Sequence, residues 1–344
     1  MQDDRVYSPY LIIGKLSQDF ILTSDGTDIN DLPGGHLLYS AIGMTPWERN
    51  PLLVSRISHK FSRTYLEELK KYNFNLHGIK MVDVEIEHRN FISFFQSNER
   101  EKSEKSKSVL SEYFYAGKPF PRSLLGYVLP SKKTDSLTER TSETILSRDI
   151  PSDFLEARCI HLCPLDYLSH NLLPQVFSGT TGHTITIQAG DGYMQPYFYS
   201  PIKTLVNGLT AFIAKERQVK RLFSEEYKMK TLEDMMCALL DYGAENVVVM
   251  EEEKSFCFIS RVDRKVFRMK ADDSEQWDKI GLLSCFCGAY IVGLNETYDY
   301  KKAAAYGAAR SSMLRNERNP FNNLNIFERL LTEKIRIMEN RIEG

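Results

Sequence analysis

The sequence predicts an α/β fold built on a central, mainly parallel sheet. Two observations carry this. Over residues 10 to 72, short apolar runs alternate with segments of helical period in the order strand, helix, strand, helix. The same rhythm resumes at Ala157 and continues into the last third of the chain.

Tyr10-Leu-Ile-Ile-Gly14 is a short buried strand closed by glycine, followed by a polar stretch to Pro33-Gly34-Gly35. His36 to Met44 has the apolar spacing of a helix packed on a sheet, and Pro51 to Ile57 is a second strand. Ser62 to Tyr72 is amphipathic, with Tyr65, Leu66 and Leu69 on one stripe and Glu67, Lys70 and Lys71 opposite. Val82 to Phe95 alternates apolar and polar residues, which predicts a half-exposed antiparallel ribbon. Ser97 to Ser108 mixes charges of both signs and reads as a solvated, mobile loop; Ser131 to Arg148 reads as a second loop of low order.

Ala157 to Cys163, Thr184 to Ile187 and Asn246 to Met250 are further strands with helices between them. Thr231 to Tyr242 is an amphipathic helix that Gly243 can cap. Cys285-Phe-Cys-Gly-Ala-Tyr290 is a buried run of helical character, and the small residues of Ala303-Ala-Ala-Tyr-Gly-Ala-Ala309 suit close helix packing. Asn325 to Asn340 is the last helix, its buried face drawn from Phe327, Leu330, Leu331, Ile335 and Met338.

The 344 residues are 42% hydrophobic and 26% charged, with a net charge of −2, an ordinary globular composition. Near-neutrality gives no electrostatic ground for nucleic-acid or membrane binding. No apolar run approaches the roughly 18 to 20 residues that span a bilayer. The acidic start, MQDDRVYSPYLIIG, is wrong for a secretory signal, so a cytoplasmic location is expected. The six cysteines (159, 163, 237, 257, 285 and 287) lack paired CxxC spacing. Cys159, His161 and Cys163 could meet a metal on one strand face, but buried thiols are the plainer reading and no metal is expected. Cys285 and Cys287 near a helix start could be activated thiols, although their apolar neighbours favour core packing.

Taken in order, several blocks resemble the ribokinase-like (PfkB) carbohydrate and nucleoside kinase family. The resemblance spans roughly residues 10 to 335 and rests on Leu11-Ile-Ile-Gly14, Asp19, Pro33-Gly34-Gly35 and Ala41 in the first half. Further blocks are Phe114 to Tyr127, Cys159 to Tyr167, Gly192 to Pro196 and Phe286 to Asp299. It implies a three-layer α/β/α sandwich over residues 1 to 344, with a small β lid from about 15–32 and 82–125. By the same resemblance Asp19, Gly34, Gly35 and Tyr39 are substrate-binding, Tyr39 standing where ribokinases carry Asn. Lids of this family often pair edge to edge, which implies a homo-oligomer or a partner chain docked through the lid.

Against that pattern the catalytic positions depart. Asp278-Lys-Ile-Gly-Leu-Leu-Ser284 stands where the family has Asp-x-Thr-Gly-Ala-Gly-Asp, a backbone cradle for phosphate ending in the base. Gly281 is kept, Leu282 and Leu283 replace small residues, and Ser284 replaces the base. Leucines there would resist positive φ and fill the phosphate's space. Loss of a general base costs about 10²- to 10⁴-fold. Asp273 or Asp278 could serve instead if the register shifts. The family's Asn-x-x-Glu falls at Lys215 and Gln218, removing a charge that organises metal-bound water. Its Asp-Pro strand end reads Gln188-Ala189. The two glycines of its nucleotide turn are Glu252 and Ser255, in a run whose three carboxylates would repel ATP. The resemblance with these losses implies a pseudokinase without cofactor, binding a sugar or nucleoside as a sensing, regulatory or structural subunit, in nucleotide metabolism or defence. The alternative is a divergent active kinase using ATP and magnesium.

Overall fold

The computed structural model describes residues 8–95, 108–130, 134–177, 182–226, 229–252, 255–270, 280–315 and 319–344. Its first elements are β1 (Tyr10–Ile13), β2 (Ser17–Leu22), β3 (Asp28–Gly34), α1 (His36–Met44), β4 (Leu52–Ser58) and α2 (Arg63–Lys71). Next come β5 (Ile79–Val82), β6 (Arg89–Ser93), α3 (Val109–Tyr115), β7 (Cys159–Leu162), α4 (Tyr167–Phe177) and β8 (Thr184–Gln188). Then follow α5 (Ile202–Val206), β9 (Ala211–Lys215), α6 (Glu216–Leu222), α7 (Leu232–Asp241), β10 (Asn246–Met250), β11 (Ser255–Ser260) and β12 (Phe267–Lys270). The chain closes with α8 (Leu282–Thr297), α9 (Tyr300–Ser312), α10 (Glu328–Asn340) and β13 (Ile342–Glu343).

Ten strands form one sheet in the order β13-β12-β11-β10-β9-β8-β7-β1-β4-β5. From β10 to β5 all pairs are parallel, while β11, β12 and β13 add an antiparallel flank. Alternate residues of each strand face opposite layers. In β1, Leu11 and Ile13 meet the core that includes Leu173, Leu205, Val219 and Met236 of α4 to α7. Tyr10 and Ile12 meet Leu37, Leu69 and Cys285 of α1, α2 and α8. The strand order reverses on either side of β1, and ligand crevices of such sheets open there, beyond the carboxyl ends of the strands.

A smaller sheet, β3-β2-β6, rises from that end of β1 and returns to α1. It has its own apolar core of Phe20, Leu22, Val109, Tyr113, Leu124 and Tyr127. The Val82–Phe95 stretch is not an antiparallel ribbon. Its start belongs to β5, parallel to β4, and its end is β6, parallel to β2. Period-two alternation fixes which face is buried and leaves the partner's direction open. The Thr134–Arg148 part of the second expected loop is irregular but anchored. Ile145 and Leu146 are buried, Arg56 donates to the Thr144 carbonyl at 2.8 Å, and Ser169 accepts from the Ile145 N–H at 2.9 Å. Of the mixed-charge run only Ser108 is among the described residues, where it caps α3 by accepting from the Ser111 N–H at 3.1 Å. Phe327 and Leu330 do not join the buried face of α10: they are exposed, while Leu331 and Met338 point inward. Phe327 precedes the first helical turn, so the helical period does not govern it.

Two helices meet backbone to backbone under the crevice. A Cβ on Gly43 of α1 would lie 2.1 Å from the Cys285 carbonyl oxygen, and one on Gly288 of α8 would lie 1.9 Å from that of Ser40. Neither obstacle is a side-chain tip that could swing away, so the helices themselves would have to part. Gly288→Ala is therefore expected to cost roughly 3 kcal/mol or more in urea unfolding, against about 1 kcal/mol for Gly117→Ala, a surface turn with positive φ and no neighbour within 4 Å. Equal losses for the two variants would contradict this packing.

Candidate functional site

The carboxyl ends of β1, β8 and β9 bring Lys15, Gln188 and Lys215 to one corner, where α1 and α8 also begin. Gly281 caps α8 with φ +74, and a Cβ on it would lie 2.1 Å from the Tyr39 ring. Both facts require glycine. Leu282 and Leu283 do not share the positive φ; they are the first residues of the helix. Leu283 is buried in the apolar core with Val248 and Phe256, and Leu282 is partly buried against it. Strain at these leucines, expected from the sequence, is thus absent.

Ser284, one turn into α8, is 1% exposed. Its hydroxyl donates to Gln188 Oε1 at 2.9 Å and lies 2.7 Å from His36 Nδ1, at the first residue of α1. The position where the sequence resemblance leads one to expect a base is thus the middle of an uncharged hydrogen-bonded chain. His36 keeps solvent access on one side while protein surrounds it on the others. Loss of hydration holds its imidazole below the ordinary range, and the Lys215 and Lys15 charges add to the effect.

Gln218 is buried and fully engaged. Its carbonyl oxygen accepts from the Lys215 N–H at 2.8 Å, and its amide donates to Asp191 at 2.9 Å and to the Ala189 carbonyl at 3.3 Å. Asp191 lies 3.6 Å from both Arg217 and Arg221. Lys215 forms no ion pair among the described residues, and desolvation lowers its pKa. The nucleotide-turn positions lie on the β10–β11 hairpin. The Glu252 N–H donates to Glu216 at 2.9 Å, while Ser255 donates to Glu251, which pairs with Arg268 at 3.2 Å. Glu253, Asp273 and Asp278 lie outside the described residues.

On the lid side, Asp19 is 1% exposed. It accepts from Ser17 at 2.7 Å and Asn90 at 3.1 Å, with a further bond from the Gly35 backbone. It sits where the β2–β3 register shifts, a bulge that turns a side chain out of the pleat. Gly34 leaves room for its carboxylate: a Cβ there would lie 2.0 Å from Asp19 Oδ2. Gly35 takes φ +99 beside the Lys15 carbonyl, and Tyr65 OH donates to the Gly34 carbonyl at 2.7 Å. Tyr39, also buried, lies between the two halves: its ring packs on Gly281, and burial and then the Asp19 charge hold its hydroxyl protonated.

His36 and Asp191 are site residues that sequence reasoning did not single out. His36 could have been noticed as the first helical residue after the double glycine. The cysteines are core groups. Cys285 and Cys287 are fully buried, and burial pushes the Cys287 thiol up rather than activating it. Cys159, His161 and Cys163 share a strand face, yet His161 bonds Thr186 at 2.9 Å, and no metal-binding cluster occurs among the described residues.

Burial raises the Asp19 carboxyl from its ordinary 3.8 to about 6. The folded chain therefore holds this proton over a range where the unfolded chain has released it. Stability from this group is full below about pH 4 and is lost as pH rises to about 6, by on the order of 3 kcal/mol. Asp19→Asn should remove that fall, so the variant gains on wild type as pH rises from 4 to 7. Parallel stability–pH curves for the two proteins would disprove the assignment.

No family model and no curated protein sequence matches the chain. Its fold does match solved structures. A candidate ribokinase II from E. coli, in complex with ATP and Mg²⁺, superposes with a TM-score of 0.66 at 14% identity, over 96% of this chain and 100% of that one. Ribokinase from Thermotoga maritima gives 0.61 at 14% identity, over 95% and 99% of the two chains. The nucleoside kinase of Methanocaldococcus jannaschii, an archaeal member of the ribokinase family, gives 0.63 at 12% identity, over 96% and 99%. With the parallel sheet, the small lid sheet and the glycine-capped α8 in the same chain, these superpositions establish that the protein has the ribokinase-like fold.

Proposed function

We propose that this ribokinase-fold chain is a pseudokinase: a small-molecule binding protein that does not move phosphate from ATP to a hydroxyl. The carrying observation is Ser284, held between His36 and Gln188 where a carboxylate base would stand. A serine hydroxyl in that chain has no anionic partner to take its proton. The donor set does not fit a magnesium–nucleotide complex either. Gln188, Gln218 and Ser284 are neutral, Lys215 adds a positive charge, and the nearby carboxylate of Asp191 is shared among Gln218, Arg217 and Arg221.

The ligand on this reading is a sugar or nucleoside whose hydroxyl meets Asp19, beside Gly34, Gly35 and Tyr39. Binding would act by shifting the lid, through a difference in affinity between lid positions. A protein partner or second copy on the lid would read out that shift. Support for such a surface comes from Leu110, Phe114, Tyr115, Leu125 and Val128, large apolar side chains exposed on or next to α3.

Calorimetry of the pure chain with ATP–magnesium and with a sugar and nucleoside panel tests the proposal. No ATP heat, no magnesium-dependent ADP release, and a fitted affinity for at least one panel member are expected. Magnesium-dependent ADP release with any acceptor would overturn the pseudokinase reading and favour a divergent active kinase. Ser284→Asp alone is expected to leave phosphoryl transfer undetectable, because the neutral glutamines and Lys215 remain. Restored transfer in that single variant would show that only the base had been lost.

A further inference from the structure

We infer that His36 is a phosphoryl-accepting nucleophile, its Nε2 taking a phosphoryl group from a small metal-free donor of the acyl phosphate class. The hydrogen-bond chain sets the tautomer. Ser284 uses its proton on Gln188 Oε1 at 2.9 Å, so its oxygen is left to accept, and the 2.7 Å contact places the imidazole proton on Nδ1. Nε2 then carries the lone pair and has no hydrogen-bond partner among the described residues, while the ring has solvent access.

The ring is also held in place. Ser284 is buried in the first turn of α8, His36 begins α1, and the Gly43–Gly288 crossing fixes the two helices against each other. A nucleophile whose other nitrogen is anchored loses little orientational freedom on attack. Lys215 and Lys15 lie close enough to depress the imidazole; Lys15 is paired with Glu143, so it is the Lys215 charge that favours an arriving phosphoryl dianion. A neutral imidazole is the nucleophilic form, and the ring is neutral at neutral pH.

In the step, the Nε2 lone pair attacks phosphorus and a P–N bond forms. The P–O bond to the acyl group breaks, and the carboxylate leaves with the electron pair. The Nδ1 proton stays on the ring, shared with Ser284, so no base is required. Asp19 and the lid take no part, which makes the step separable from the ligand binding proposed above.

Phosphoramidate, which phosphorylates accessible imidazoles and releases ammonia, is a suitable probe. The full chain would be incubated with it and the products mapped by peptide mass spectrometry under alkaline conditions. His59 and His77, with side chains 65% and 60% exposed, serve as references within the same molecule. His36 is expected to label about tenfold faster than either, giving an acid-labile adduct. Lys215→Met and Ser284→Ala should each slow it about fivefold or more, with melting temperature checked alongside. Labelling of His36 no faster than His59 or His77 overturns the inference. Rates unchanged in both variants do so as well.

Discussion

Backbone contact between α1 and α8 is the constraint on which the corner depends. With glycine at 43 and 288, the helices approach until a carbonyl of each touches the other's backbone. Their first turns then open on the same crevice, and residues 248 positions apart in sequence meet through Ser284 and His36. No side chain of ordinary size at either glycine allows this approach. The hydrogen-bond chemistry above the crossing is thus a consequence of packing below it. The scaffold has to be kept for any use of the site, whether or not phosphate moves.

The chemistry at the corner is consistent with itself with serine at position 284. A lone carboxylate at a position 1% exposed needs donors or a cation to stay charged. Serine needs only one donor and one acceptor, and His36 and Gln188 supply them. Gln188 and Gln218 each stand where an acid is expected: Gln188 accepts from Ser284, and Gln218 is bonded by the Lys215 N–H, the Ala189 carbonyl and Asp191. Buried polar groups bonded in this way hold a network together.

The order of strands and helices was legible because apolar period and length survive whatever the chemistry does. The α2 stripe is a local signal, and the helix does bury Tyr65 and Leu69 along it. What escaped was non-local. Strand alternation at residues 82 to 95 could not say that β6 would run parallel to β2, since that depends on the long excursion between them. The polar composition of residues 134 to 148 hid two apolar anchors and their backbone bonds. At the site, the family pattern drew attention to Ser284 and Gln188 but not to His36. His36 follows the double glycine in sequence, but its contact with Ser284 exists only because the fold brings α1 and α8 together. The leucines after Gly281 show the opposite error, because only Gly281 takes positive φ and both leucines already stand in the first turn of α8.

Asp19 carries the synthesis one step further. It belongs to the lid strand β2, yet one of its bonds comes from the Gly35 backbone at the start of α1. It therefore joins lid and sheet at the same helix that presents His36. Burial makes its ionised form costly, as its raised pKa records. A ligand hydroxyl donating to that carboxylate would relieve part of the cost, and any lid movement that hydrates it would do the same. On the function proposed above, binding and lid position would be two ways of satisfying one buried charge, and that competition would supply the difference in affinity between lid positions which a sensing role requires.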